Sequence, residues 1–147
     1  MGRYTLIAVA LAVSLGLGFW WSADGNVDAP ANVAEPVGGE GAAIVEVTLP
    51  ESLSTNAETG RVAFEARCAV CHGANAAGQD GVAPPLVHRI YEPSHHGDAA
   101  FLVAVRNGVR SHHWRFGNMP PVEGLTDGDV KMIIAYVREL QQANGIN

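Results

Sequence analysis

Both cysteines of this 147-residue chain lie in one short cluster, Cys68-Ala69-Val70-Cys71-His72. Two thiols three positions apart, followed directly by an imidazole, form the spacing with which a chain attaches haem. Each thiol can bond one vinyl group, and the imidazole then falls on one face of the iron. The cluster therefore predicts one haem c, attached covalently through Cys68 and Cys71, with His72 as an iron ligand.

Three other chemistries use closely spaced cysteines: a thioredoxin-like redox pair, half of a zinc site and a structural disulfide. A redox pair needs a βαβ context and a zinc site needs a second ligand pair at matching spacing, and the sequence shows neither. A disulfide would not explain the adjacent His72. Two cysteines are also too few for a disulfide-rich scaffold or a Cys-ligated iron–sulfur cluster. We therefore favour haem attachment.

A second iron ligand is predicted at Met119, within Gly117-Asn118-Met119-Pro120-Pro121. A methionine in a loop rich in glycine and proline has no helix face to fill, whereas Met132 falls on an amphipathic helix and is interpreted as packing. Two prolines stiffen the loop and can hold the thioether rigidly against the iron. His112 or His113 is the alternative sixth ligand.

From about residue 55 to 143 the chain resembles the class I c-type cytochromes, the small mono-haem electron carriers with His/Met ligation. The cysteine cluster and Met119-Pro120 carry much of the resemblance. The remaining features are Gly60 with Phe64, Pro84-Pro85-Leu86, and Tyr136.

The resemblance implies specific contacts. The first helix is expected to cross the last one at Gly60 and Phe64, with Tyr136 as the aromatic of the last helix. A proline carbonyl, which alignment on Leu86 places at Pro84, is expected to accept the Nδ1 proton of His72.

The hydrophobic pattern independently predicts short helices joined by Gly- and Pro-rich loops, and no convincing strand. The pattern therefore predicts an all-α domain, which agrees with the fold that the resemblance implies, a small cytochrome c fold wrapped around one covalent haem. Capping residues predict the first helix over Ala57 to Ala69 after Ser54 or Asn56, and a second capped by Asp98 and ending at Asn107-Gly108. The last helix begins with a capping box of Thr126 and Asp129 and has the apolar face Val130, Ile133, Ile134, Val137 and Leu140.

The N-terminus contains eighteen consecutive uncharged residues, from Tyr4 to Trp21, preceded by Arg3. This length and the closing tryptophans favour a retained transmembrane helix within residues 1–22. A cleaved signal peptide is the alternative. Because basic residues stay on the cytoplasmic side, Arg3 predicts a single-pass protein of the bacterial cytoplasmic membrane, with its haem domain in the periplasm and lipid around the anchor.

The net charge of −6 is unevenly distributed. Residues 24–58 hold seven acidic side chains and no basic one, whereas residues 59–147 hold eight of each. An acidic total argues against a nucleic-acid partner. Prolines, glycines and acids over residues 23–54 predict a disordered linker, in which a strand over Ala42 to Leu49 is the alternative. The cytochrome c domain is then residues 55–147.

Several polar side chains surround the predicted ligands. The indole N–H of Trp114 is expected to donate to a haem propionate, and Arg110 and Arg115 could neutralise propionate charge. The pairs His95-His96 and His112-His113 are interpreted as loop polarity, because adjacent residues point apart on any regular element. A second metal site is the alternative.

With both axial positions filled, the iron has no room for a substrate, which predicts an electron carrier and not an enzyme. The resemblance implies transfer from a quinol-oxidising complex to a terminal oxidase or a photosynthetic reaction centre. One alternative is a fixed haem c subunit of a larger oxidoreductase complex. Another is a ligand-binding or peroxidase-like haem protein in which Met119 does not bind the iron.

Overall fold

The computed structural model of the protein describes residues 39–147. These residues form four α-helices: α1 (Thr55–Arg67), α2 (Ala69–His72), α3 (Asp98–Asn107) and α4 (Asp127–Ala143). Two single 3-10 turns, Ala74–Ala76 and Arg89–Tyr91, lie between α2 and α3. No strand forms between residues 39 and 147, where β-pairing is limited to two isolated bridges. The all-α prediction is confirmed for this part of the chain.

The helix starts follow from their capping residues. Ser54 is the N-cap of α1, and its hydroxyl accepts a hydrogen bond from the backbone N–H of Ala57. The first helix therefore begins two residues earlier than predicted and ends at Arg67, before the cysteine cluster. The capping box predicted for α4 is present, since Thr126 and Asp129 each accept a hydrogen bond from the other's backbone N–H.

The predicted cap of α3 was wrong by one residue. Gly97 occupies the N-cap position and Asp98 is the first helical residue. In the first turn a carboxylate interacts favourably with the helix dipole, and that of Asp98 also accepts a hydrogen bond from Arg138 Nε of α4 at 2.9 Å. The helix ends at Asn107 as predicted, with Gly108 in a left-handed conformation at φ 72°.

The core lies between α1 and α4, which share the most extensive helix–helix contact of the described chain. Tyr136 of α4 meets Phe64 of α1 edge to face, with 5.6 Å between ring centroids. Both side chains are fully buried. The whole predicted apolar face of α4 is buried with them: Val130, Ile133, Ile134, Val137 and Leu140.

The two helices cross where Gly60 faces the backbone of α4. A Cβ atom at Gly60 would lie 1.8 Å from the carbonyl oxygen of Met132 and 2.8 Å from the backbone nitrogen of Ile133. Only a residue without a side chain therefore permits this separation of the helix axes. The predicted crossing at Gly60 and Phe64 is present.

We predict that Gly60→Ala destabilises the protein by about 3 kcal/mol, because the new methyl group meets backbone atoms that cannot turn aside. In an open helix the same change stabilises by about 1 kcal/mol. Gly128→Ala in α4 is the matched control, since its Cβ would make only an ordinary contact, 3.4 Å from Thr126 Oγ1. Denaturant unfolding measures both variants. Equal stability of the two would contradict the crossing.

The N-terminal segment, defined here as residues 39–54, is ordered against the domain. We expected it to belong to a disordered linker, and that prediction was wrong for these residues. The backbone N–H groups of Ile44 and Val45 donate to the carbonyl of Ala77, and Asp80 N–H donates to the carbonyl of Ala42. The segment forms no strand over Ala42 to Leu49.

Further along, the N-terminal segment is bound to α4 and its C-terminal cap. The side chain of Asn144 accepts from Thr48 N–H at 2.9 Å and donates to Thr48 O at 2.8 Å, as a neighbouring strand would do. Val47 and Leu53 pack against the core. Ser54 donates to the carboxylate of Glu139. These partners are 85 to 96 residues away in the chain, so local composition did not reveal them.

We predict that Asn144→Ala releases the N-terminal segment and lowers stability by about 1–2 kcal/mol, because Thr48 loses both of its backbone partners. The measurement is cleavage by a glutamyl endopeptidase after the exposed Glu46. Cleavage should be several-fold faster than in the parent and in Gln142→Ala, a control at an exposed neighbouring position. Unchanged cleavage would show that Asn144 does not hold the segment.

The predicted membrane segment, residues 1–22, and residues 23–38 of the predicted linker lie outside the described residues. Among the helices formed by residues 39–147, none is both long enough and apolar enough to cross a bilayer.

Candidate haem-binding site

The cysteine cluster follows directly from the end of α1. Cys68 closes α1 by donating its N–H to the carbonyl of Phe64 at 2.7 Å, and its own carbonyl accepts the N–H groups of Cys71 and His72. This single turn, α2, therefore starts from a helix end that the core already fixes. Cys68 is half-buried, Cys71 is exposed, and both thiols are free.

The two thiols differ in their environment. Burial raises the pKa of Cys68 to about 11, with Arg67 opposing the shift and Cys71 adding to it. Cys68 is therefore a neutral thiol at physiological pH, as a buried sulfur should be. Cys71, one turn further along, is exposed to solvent.

His72 is buried and its ring is held by one hydrogen bond. Its Nδ1 lies 2.9 Å from the carbonyl oxygen of Pro84, which can only accept, so Nδ1 carries the proton. The remaining nitrogen, Nε2, then has a free lone pair. Burial lowers the pKa of His72, and the Pro84 hydrogen bond partly opposes this shift. A neutral imidazole oriented by a backbone carbonyl is the usual form of a metal ligand. The expected hydrogen bond to Pro84 is present.

The Pro84 carbonyl is positioned by its neighbours. Pro85 is fully buried, and Leu86 N–H donates to the carbonyl of Ala76 at 2.9 Å. The loop from His72 to Pro84 is thus closed by backbone hydrogen bonds.

Gln79 is a residue of this loop that the sequence analysis missed. Its Nε2 lies within 3.2 Å of the carbonyl oxygens of Ala69, Val70 and Cys71. Because α2 is only one turn long, the carbonyls of Val70 and Cys71 lack helical partners, whereas that of Ala69 also accepts the N–H of Gly73 at 2.9 Å. Gln79 therefore caps the cysteine turn at its C-terminal end. No local signal marks this role, since the contact depends on a reversal of the chain after Gly73.

Met119 lies in a loop that is closed at its base. Met119 and Val109 exchange two backbone hydrogen bonds, of 3.0 and 2.9 Å. Gly108 permits this pairing, because a Cβ there would lie 2.5 Å from Met119 O. At the next position Asn118 accepts a hydrogen bond from Ser111 N–H. Met119 is half-buried, and its backbone is held against Val109, which lies just after the end of α3.

Trp114 lies inside the same loop and its indole N–H has no acceptor. Nε1 is the one buried side-chain polar atom without a hydrogen-bond partner among residues 39–147. The ring packs edge to face on His88 and stacks on Phe116. Burial raises the pKa of Tyr91, and the nearby Trp114 indole opposes that shift. The indole N–H and Tyr91 nevertheless do not form a hydrogen bond. A buried donor of this kind calls for an acceptor.

Comparison with known families decides among the chemistries left open by the residues. The family model described as Cytochrome c matches residues 57–141, which is more than half of the chain. The chain belongs to the Cytochrome c family. It is therefore a haem c protein of electron transfer.

The residues of this cytochrome fit a haem. The orphaned N–H of Trp114 needs an anionic or carbonyl acceptor, which a propionate supplies. None of the residues of α3 is fully buried by protein, although Phe101, Leu102 and Val105 are apolar. The thiols of Cys68 and Cys71 are free. An apolar group with acidic substituents and an iron centre matches this set.

The structure separates the remaining polar residues of the cytochrome into two groups. Arg110 and Arg115 are both exposed. The histidine pairs, which we interpreted as loop polarity, are instead partly gathered in one place. His95, His96 and His113 offer ring nitrogens within 4.8 Å of one another. The argument that adjacent histidines point apart holds for regular elements, whereas these residues lie in turns.

Proposed function

We propose that this cytochrome carries electrons between redox complexes of the bacterial cytoplasmic membrane, to which an anchor formed by residues 1–22 tethers it on the periplasmic side. The observation that carries the proposal is the buried, neutral His72, fixed by Pro84 one position after two free thiols. Cys68 and Cys71 are the proposed attachment points of a single haem. His72 and Met119 would hold its iron.

The haem supplies a one-electron ferric/ferrous couple, and the protein residues set how it works. His72 keeps its Nε2 lone pair available because Pro84 holds the proton on Nδ1. Met119 supplies a thioether, a weak donor that favours the ferrous state and a relatively positive potential. If His72 and Met119 both held the iron, they would leave it no site for a substrate, which supports a carrier and not a catalyst.

Trp114 is proposed to orient a propionate by donating its buried N–H. This contact would satisfy a group that otherwise costs about 1–3 kcal/mol when left unpaired. It would also place the propionate charge beside the Met119 loop. Arg110 and Arg115 lie on either side of Trp114 in the sequence. Both side chains are exposed and are proposed to approach the same propionate charge.

The proposed tether is shorter than the composition alone indicated. If residues 1–22 form the anchor, residues 23–38 connect it to the ordered segment that begins at residue 39. Sixteen residues reach at most about 55 Å when fully extended. Such a reach restricts partners to complexes in the same membrane, and it raises their effective concentration.

Charge gives little help in steering this domain to a partner. Residues 59–147 contain eight acidic and eight basic side chains, and Lys131 is the single lysine of the chain. Tethering replaces the steering that a strongly charged surface would provide. A quinol-oxidising complex is the proposed donor, and a terminal oxidase or a photosynthetic reaction centre is the proposed acceptor.

We predict that Met119→Ala opens the iron of the holoprotein to cyanide or carbon monoxide while the haem stays covalently attached. The physical reason is that alanine has no donor atom and leaves space in its place. Met132→Ala is the matched control, because Met132 is a half-buried methionine on α4. Optical titration of the ligands measures both. If the Met119 variant bound cyanide and carbon monoxide no better than the control does, Met119 would not be an iron ligand.

We predict that the intact mass of protein extracted from membranes equals that of residues 1–147 with one haem added. The full length follows if residues 1–22 are retained as an anchor, and the single haem follows from the single pair of cysteines. A double variant, Cys68→Ala with Cys71→Ala, should lack the added mass. A chain shortened at its N-terminus would contradict the anchor, and a normal holoprotein from the double variant would refute the attachment site.

A further inference from the structure

Four histidines from two distant segments meet on one side of the domain. His95 and His96 precede α3, whereas His112 and His113 lie in the loop that leads to Met119. The ring centroids of His95 and His96 are 5.4 and 5.2 Å from that of His113. Those of His95 and His96 are 4.7 Å apart. Neither segment alone brings three imidazoles together.

A tight turn makes the first pair converge. The backbone N–H groups of His95 and His96 both donate to the carbonyl of Glu92, at 3.0 and 2.8 Å. The two side chains therefore leave one turn of chain side by side. The three-histidine cluster is defined here as His95, His96 and His113.

The nitrogens of the three-histidine cluster are close to the separation that a metal ion requires. One ring nitrogen from each residue lies within 4.8 Å of the others. Around an ion with metal–nitrogen bonds near 2.0–2.1 Å, tetrahedral ligands are about 3.3 Å apart. His95 and His113 are exposed, so rotation of their rings can close the difference.

His96 is already prepared as a ligand. Its Nδ1 lies 2.6 Å from the carbonyl of Ile90, which fixes the proton on Nδ1 and leaves Nε2 as the donor. The carbonyl of His96 itself accepts from Arg138 Nη2 at 2.6 Å. A ligating histidine typically gives its second ring nitrogen to such a backbone acceptor.

The close packing of the rings also favours an ion. Three imidazoles this close repel one another when protonated, whereas as neutral ligands they can share one cation.

We propose that His95, His96 and His113 bind one divalent transition-metal ion of the class that prefers imidazole, with Cu²⁺ held more tightly than Zn²⁺. Water completes the coordination, because the site is open to solvent. His112 is not among the ligands, because its ring nitrogens do not join the group of nitrogens that lie within 4.8 Å of one another. This site is separate from the haem ligands and does not depend on the proposed electron partners.

The experiment is a titration of full-length holoprotein, freed of loose metal by a chelator, with Zn²⁺ in a calorimeter. We expect one ion per chain and a micromolar or tighter dissociation constant. His95→Ala and His113→Ala should each weaken binding more than about tenfold, because each removes one of three ligands. His112→Ala is the matched control and should bind as the parent does.

Cu²⁺ added to the oxidised holoprotein gives an independent measurement. Its electron paramagnetic resonance should show coupling to imidazole nitrogens, which is lost in the double variant His95→Ala with His113→Ala. An unchanged haem spectrum in every variant shows that the domain is folded. Binding weaker than micromolar, or an equal loss in His112→Ala, would overturn the proposed site.

Discussion

The close approach of α1 to α4 at Gly60 is the constraint on which the rest of the domain depends. Backbone meets backbone there, and no side chain can replace the glycine without moving one helix. The approach brings Phe64 and Tyr136 into contact one turn further on. Because Phe64 also accepts the N–H of Cys68, the position of the cysteine turn is set by the same crossing. The position of the candidate site thus depends on a helix contact that lies outside the cysteine cluster itself.

From that point each element fixes the next through backbone groups. Gln79 caps the cysteine turn, and Pro84 holds the proton of His72 on Nδ1. In the loop from Gly108 to Met119, Val109 and Met119 pair at the base. A one-electron carrier benefits from ligands that do not move between oxidation states, and backbone hydrogen bonds provide rigidity that exposed side chains cannot. The N-terminal segment adds further ordered contacts through Asn144.

The sequence predicted those features whose signals are local. The capping box at Thr126, the apolar face of α4 and the end of α3 at Gly108 all follow from residues within a few positions. The cap of α3 was misplaced by one residue because aspartate is favoured both at the N-cap and in the first turn of a helix, so its presence alone does not distinguish the two positions. The order of residues 39–54 was missed because it depends on Ala77 and Asn144, distant partners that no window of sequence contains. Within the site, the contact of His72 with Pro84 was accessible through family resemblance, whereas the role of Gln79 was not.

The loop from Gly108 to Met119 joins the two proposed centres. Its end is fixed by the hydrogen bonds between Val109 and Met119, and its middle carries the unsatisfied indole of Trp114. His113 directly precedes that indole. An ion bound to His113 and to the turn before α3 would cross-link the loop at a second point, on the opposite side of Trp114 from Met119. Two fixed points restrict a loop more than one does, because they divide it into shorter stretches that each have fewer accessible conformations. Metal binding would therefore be coupled to the rigidity of the methionine loop, and through it to the strength with which the thioether is held.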